Sequence, residues 1–377
     1  MKLRTIFIAQ IFWAFYSCTG DKAASLPKIQ PEKIKVELTL QQKAFSNSID
    51  SLASKRHKQG IFNGVILVAE YGLPIYSKAF GYSNFKTKEL LTEHSVFQLA
   101  SVSKMFTATA ILLLQQKGFL SVNDSVRHII PDFPYEGLII RHLLTHRSGL
   151  PRYMVVTDVH WPRDSMLTNE DMHSVMVANP PKRYFSPDFR FNYQNTNYAY
   201  LALIVERVSG KSFDNFVRDH IFEPLGMYNS RVYSGKKQPD ITGAVVGHIY
   251  RRPRVILPEE NYINGVTGDK GVYSSVGDLL KFDQALYTDT FLTAQSKQMM
   301  FHPWTKWRRG KKDSYGFGWR ISTLEKDNLV YHYGWWNGFK TSFMRYTNSK
   351  RTLIILTNRD RKLTLTKEIQ ALLFPEK

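Results

Sequence analysis

The sequence predicts an α+β fold. An antiparallel sheet, built from strands near both ends of the chain and flanked by helices, stands beside an all-helical lobe. Three observations predict it. Strand-like runs sit at the two ends of the chain, and helical periodicity fills the middle. At 377 residues and 43% hydrophobic content, the chain is long enough to bury a large core in one domain of two lobes.

In chain order, residues 38–57 carry helical spacing through Leu40, Phe45, Ile49 and Leu52. Residues 64–69 are a buried strand, Tyr71-Gly72 turns it, and 75–80 returns as a second strand. A loop over 81–94 leads to a long apolar helix over 99–118, for which Gly118 is a natural C-terminal cap. A connector over 122–133 ends at Pro131 and Pro134. A short helix over 139–145 is broken by Arg147-Ser148-Gly149-Leu150-Pro151. Residues 152–167, rich in turn formers, read as a long loop. Helices follow over 169–178, 198–208 and 212–221, the last capped by Ser212 or Asp214. Residues 185–195 are an aromatic-rich loop, and 231–267 are turn-rich without a period. A helix over 275–286 has Ser275 at its start. Strands over 316–321, 329–332, 339–345 and 351–357 precede a final helix over 364–373. The domain therefore spans 38–374, with its α/β part at 38–105 and 268–374 and the helical lobe at 106–267.

The chain ahead of this domain reads as an export segment. Met1-Lys2-Leu3-Arg4 is a basic start, an apolar run follows, and Ser17-Cys18 closes it. The run is short for a membrane span. Cys18 is the only cysteine, so no intramolecular disulfide forms. Its position resembles a bacterial lipoprotein signal over residues 1–18, with Cys18 as the lipidated residue and 19–37 as a polar tether. An ordinary signal with an incidental cysteine is the competing reading. The expected location is outside the cytoplasm, membrane-anchored and facing the periplasm or cell exterior. The net charge is +19, from 51 Lys+Arg against 32 Asp+Glu. The basic residues are scattered, apart from clusters at 251–254 and 306–312. No nucleic-acid motif accompanies them, so no nucleic-acid partner is expected. A solvated surface near an anionic envelope fits better.

The chemistry centres on Ser101-x-x-Lys104. Helical spacing puts both side chains on one face at the start of a buried helix. A serine hydroxyl needs a neighbouring base, and a buried lysine can serve. Ser-x-x-Lys occurs four times, also at Ser25–Lys28, Ser83–Lys86 and Ser234–Lys237, but only Ser101 leads into a long apolar helix. Tyr193-Gln194-Asn195 offers a phenol to pass the proton on and an amide to orient lysine and substrate. Tyr-x-Asn recurs at Tyr262–Asn264 and Tyr346–Asn348, so its place before an apolar helix distinguishes it. His332-Tyr333-Gly334 ends a strand before Trp335-Trp336-Asn337-Gly338, where glycine lets a substrate approach the backbone; a plain hairpin would look the same. His142-x-x-x-His146 lacks the glutamate of a zinc-protease helix, so no metal is expected. No Gly-x-Ser-x-Gly elbow is present.

Together, Ser101-x-x-Lys104, Tyr193-x-Asn195 and His332-x-Gly334 resemble the motifs of the class C β-lactamase family, which also holds penicillin-binding DD-peptidases and related esterases. F-Q-L-A-S-V-S-K-M-F-T from Phe97, H-L-L-T-H-R-S-G-L-P from His142, F-E-P-L-G-M from Phe222 and G-V-Y-S-S-V-G-D-L from Gly271 are similar to further family signatures. The resemblance covers about residues 40–360 and implies the β-lactamase/transpeptidase-like fold. It also implies an acyl-enzyme mechanism without cofactor. In it Ser101 is the nucleophile, Lys104 and Tyr193 share the base and acid roles, and Asn195, His332 and Gly334 bind substrate. The backbone N–H groups of Ser101 and Trp335 form the oxyanion hole. Class C β-lactamases have Lys-Thr-Gly as third motif. Histidine and Tyr333 in that place imply a hydrolase of D-Ala-type peptides, peptidoglycan fragments or esters, poor with β-lactams. A non-catalytic envelope sensor that binds such ligands is the alternative, and it is disfavoured because no site residue is missing.

Overall fold

The computed structural model describes residues 37–235, 244–251, 254–258, 261–305, 313–323, 327–361 and 363–374. The export segment with Cys18, almost all of the tether, and the basic cluster at 306–312 lie outside the described residues, as do residues 252 and 253 of the cluster at 251–254. The chain from Leu38 onward is one compact unit.

Its centre is a seven-stranded antiparallel sheet. Side by side run Leu73–Phe80, Gly64–Glu70, Arg351–Thr357, Phe339–Tyr346, Asn328–Trp336, Arg320–Thr323 and Asp313–Tyr315. The N-terminal hairpin docks onto the last strand, Gly64 opposite Thr357 and Glu70 opposite Arg351, so the two ends of the chain share one sheet. Strand alternation then sorts the side chains. Ile66, Val68, Leu353 and Ile355 pack with the helices Leu40–Lys58 and Leu365–Leu373. Val65, Leu67, Ile354 and Leu356 face the opposite way, into a core shared with the Ser103–Gln116 helix. That helix is buried at every position from Ser103 to Leu114. A helix apolar on all sides belongs at the centre of a large core, and this one holds the sheet against the helices of the middle segment.

Several elements differ from the sequence reading. Residues 152–167 contain the helix Tyr153–His160, which buries Tyr153, Val156 and Thr157. The i, i+3, i+4 spacing of those residues is helical, but its β-branched residues weaken the local preference and the turn formers after it dominate the composition. The helix over 212–221 is an α turn, Phe213–Val217, continued as a π turn, Arg218–Phe222. Ser212 takes the N-cap position without a side-chain cap bond. The single strand over 316–321 is a hairpin of Asp313–Tyr315 and Arg320–Thr323. The turn-rich 231–267 holds short strands, Arg231–Val232, Ile249–Arg251 and Arg254–Ile256. The first of these pairs with Val272–Ser274, which in turn pairs with Phe97–Gln98 just ahead of Ser101.

Candidate active site

The turn that carries Ser101 is built by its neighbours. Leu99 donates its N–H to the Val272 carbonyl at 2.8 Å and accepts from Thr341 Oγ1 at 2.8 Å. Ala100 has φ +51°, a left-handed conformation that costs a non-glycine residue roughly 1–2 kcal/mol. A 3-10 turn, Ala100–Val102, then enters the Ser103–Gln116 helix. Gly118 closes that helix with φ +75°, as the sequence predicts. Ser101 thus sits on a strained turn fastened to two strands, its side chain at the partly exposed mouth of a buried helix.

Lys104 is fully buried. Its Nζ donates to Ser101 Oγ at 3.1 Å, Asn195 Oδ1 at 2.9 Å and the Asp269 carbonyl at 2.7 Å. All three partners are neutral; an ammonium would donate to each of them, and an amine would donate to two and accept from the Ser101 hydroxyl. Asn195 is the first residue of the helix Asn195–Ser209, which begins three residues before the predicted start and so brings Tyr193-x-Asn195 to its N-terminus.

The Tyr193 ring lies 5.1 Å from Lys104 Nζ, and the Arg320 guanidinium lies 5.5 Å from the same ring. Its hydroxyl is buried with no hydrogen-bond partner among the described residues. His146 packs against it, tilted, at 4.3 Å between ring centroids, and His332 at 6.0 Å. The predicted third motif therefore reaches the site, but not as expected. His332 is 1% exposed. Its Nδ1 faces the Tyr333 carbonyl at 2.7 Å and its Nε2 faces Tyr315 Oη at 3.1 Å. A carbonyl beside Nδ1 places the proton there, so Nε2 accepts from the tyrosine. Both ring nitrogens are occupied within the protein, so His332 presents no free ring nitrogen to the site. It buttresses Tyr193 from behind. His146 accepts at Nδ1 from the Gln194 N–H and Asn197 Nδ2, away from His142, which accepts from the Ile139 N–H.

Burial, above all, holds the proton affinities of His146 and His332 well below the ordinary histidine value, and the positive charges of Lys104 and Arg320 add to it. This fixes a pH dependence of stability. Above about pH 6.5 both rings are neutral in folded and unfolded chain alike. As pH falls through 6.5 only the unfolded chain takes up these protons, so stability present above that value is lost below it. Each histidine contributes a slope of about 1.4 kcal/mol per pH unit. Urea midpoints measured from pH 7 to 5 should fall, and His332→Gln should remove about one such slope. Equal slopes in the two proteins would contradict the neutral assignment.

Gly334 has a use in packing. A Cβ there would stand 2.2 Å from the Leu99 carbonyl oxygen and 3.1 Å from Ala100 Cβ. The missing side chain lets the Asn328–Trp336 strand press against the Ser101 turn itself. Trp335, the next residue, thereby lies beside the strand's contact with that turn. Trp335 and Trp336 are still strand; the turn is Asn337-Gly338, both with positive φ, as a tight hairpin favours. The Trp335 side chain is 69% exposed. It lines a cleft of about 410 Å³ with Lys340 and the first turn of the C-terminal helix. A second cleft, of about 260 Å³, is lined by Arg152, Tyr153, Tyr193 and Asn195.

Three residues at the site escaped the sequence reading. Asp269, Lys270 and Tyr153 pack behind Lys104, and the available signal was an Asp-Lys pair set between two glycines, Gly268 and Gly271, that both have positive φ.

The chain is similar to known proteins over most of its length. A family model described as Beta-lactamase matches residues 49–373. A penicillin-binding protein of Bacillus subtilis is 39% identical over 310 residues, 79% of this chain and 68% of its own length. A D-aminopeptidase of Cereibacter sphaeroides is 23% identical over 325 residues, 86% of this chain and 61% of its own length. Among solved structures, the octameric penicillin-binding protein homologue from Pyrococcus abyssi superposes with a TM-score of 0.77 at 26% identity, covering 88% of this chain and 78% of that one. With the family model over most of its length and a relative this similar, the chain belongs to the β-lactamase family of serine hydrolases.

Proposed function

We propose that this chain hydrolyses small peptide, amide or ester substrates of the D-Ala type through an acyl-enzyme on Ser101. The observation that carries the reading is the fully buried Lys104 amino group, bonded at once to Ser101 Oγ and Asn195 Oδ1, with only neutral partners. The bond to Ser101 is the path by which a proton leaves the hydroxyl as Oγ attacks a carbonyl carbon. The proton passes to Lys104 Nζ in its neutral amine form, or to Tyr193 in its phenolate form, and the group that receives it returns it to the leaving group. Asn195 turns its remaining amide hydrogens to the substrate. The N–H groups of Ser101 and Trp335 receive the oxyanion, each contributing roughly 3 kcal/mol. The contact of Gly334 with the Ser101 turn supports that pairing. Water then attacks the acyl carbonyl and releases the acid.

The substrate class follows from what the third motif lacks. With His332 neutral and enclosed, that strand offers no permanent cation to a substrate carboxylate. Uncharged esters and amides are tolerated, and β-lactams are poor substrates. The names of the relatives, a penicillin-binding protein and a D-aminopeptidase, support D-amino-acid peptides within that class. The test is release of nitrophenol from p-nitrophenyl acetate. A burst of about one equivalent followed by slower turnover is the expected course. Binding of a fluorescent penicillin with no turnover of any ester or D-Ala peptide would favour a sensor instead.

The export reading completes the proposal. Cys18 carries a lipid that holds the domain at the membrane, facing the periplasm or cell exterior. Among the described residues no helix is long and apolar enough to cross a membrane. Cys18→Ala should move the protein from the membrane fraction to the soluble one, and an unchanged fractionation would refute the anchor.

A further inference from the structure

A second buried lysine lies behind the Ser101–Lys104 pair, and the mechanism above does not use it. Lys270 is 3% exposed and Asp269 1%. Lys270 Nζ donates to Asp269 Oδ1 at 3.2 Å, Tyr153 Oη at 3.0 Å and the Val266 carbonyl at 3.1 Å. The Tyr153 hydroxyl donates to the other carboxylate oxygen, Asp269 Oδ2, at 3.1 Å. The Trp336 ring covers the ammonium at 5.2 Å. Asp269 is therefore held by its carboxylate on Lys270 and Tyr153, while its own carbonyl accepts from Lys104 Nζ at 2.7 Å. A buried ion pair is no more stabilising than apolar packing of the same volume, so core stability alone does not explain one here. What this one does is fix the backbone that supports the lysine beside the nucleophile.

We infer that Tyr153, Asp269 and Lys270 form a positioning unit that clamps the Asp269 carbonyl onto Lys104, and that the Lys270 cation lowers the pH at which acylation sets in. This rests on the reading of Ser101 and Lys104 as the acylating pair. Burial, partly offset by Asp269, weakens the hold of Lys270 on its proton, and repulsion from Lys104 weakens it further. The other groups around Lys104 are Ser101, Tyr193 and Tyr198, the neutral His146 and His332, and Arg320 beyond Tyr193. All of these stay in place when residues 269 and 270 are changed. Lys270 and Lys104 repel each other, so removing the Lys270 charge eases the binding of a proton beside Ser101 and the acid limb of the rate moves up in pH. Removing the Asp269 charge moves it down.

The experiment measures the p-nitrophenyl acetate burst rate against pH, with melting temperature, in full-length Lys270→Gln, Asp269→Asn, the double variant and Tyr153→Phe. The half-maximal pH should rise by about one unit in Lys270→Gln, a burst about tenfold slower on the acid limb. It should fall in Asp269→Asn and return near wild type in the double variant. Tyr153→Phe, which keeps both charges, should lower kcat by about threefold with KM and midpoint unchanged. Midpoints unmoved in folded charge variants, or moved in the same direction, would overturn the inference. Should both single charge variants fail to fold, the double variant and Tyr153→Phe decide: lowered kcat at constant KM supports the clamp, and wild-type kcat in both overturns it. A wild-type protein without a Ser101-dependent burst would refute the parent reading instead.

Discussion

Ser101→Ala should lower kcat for an ester on the order of 10⁶-fold and abolish labelling by a fluorophosphonate or fluorescent penicillin, with the fold unchanged. The effect is large because the covalent step has no other nucleophile at hand. Of the serines in Ser-x-x-Lys spacing that the structure describes, only Ser101 touches a buried lysine. Ser83 sits in a turn, where it donates to the Glu89 carbonyl. The fold survives because Ser101 lies at the partly exposed mouth of the site, where water can take its place as the third acceptor for Lys104. Ser234→Ala is the control and should label as wild type does. Undiminished labelling of Ser101→Ala would refute the assignment.

Lys104→Met should cost at least about 10⁴-fold in kcat and melt no lower than wild type by more than a few degrees. Two opposing terms decide the stability. The Asn195 amide and the Asp269 carbonyl lose a donor, about 1–3 kcal/mol for each acceptor left unsatisfied. Against this, the fold no longer buries a lysine amino group without a carboxylate partner, and apolar replacement of such a buried group is often neutral or better. A site kept for chemistry at the expense of stability shows this split. A fall in melting temperature of about 10 °C or more would instead make Lys104 a structural residue. Kinetics and melting on the same preparation separate the two.

How much of this was legible before the structure depended on the range of the interaction. The sheet was legible because its strands are continuous runs of alternating or buried residues, and their placement at both chain ends requires them to meet, as Gly64 and Thr357 do. Ser101 and Lys104 were legible because three residues along a helix is a local geometry. Tyr193 and Asn195 were legible as a motif, but their distance from Lys104 is set by how two helices pack. His332 was placed at the site, but its enclosure depends on Tyr315, which a hairpin brings alongside. The unit of Tyr153, Asp269 and Lys270 joins a helix read as loop to a turn with no period of its own, so nothing local marked it.

The most direct test of the account is to trap the covalent intermediate. The full chain is mixed with a slowly released acyl donor, such as a fluorescent penicillin, quenched in acid within the burst, weighed intact and mapped by peptide mass. The account predicts a mass increase of one acyl group per chain, located on the peptide that contains Ser101 and absent from Ser101→Ala. Turnover of an ester without any adduct, or an adduct on another residue that persists in Ser101→Ala, would contradict it.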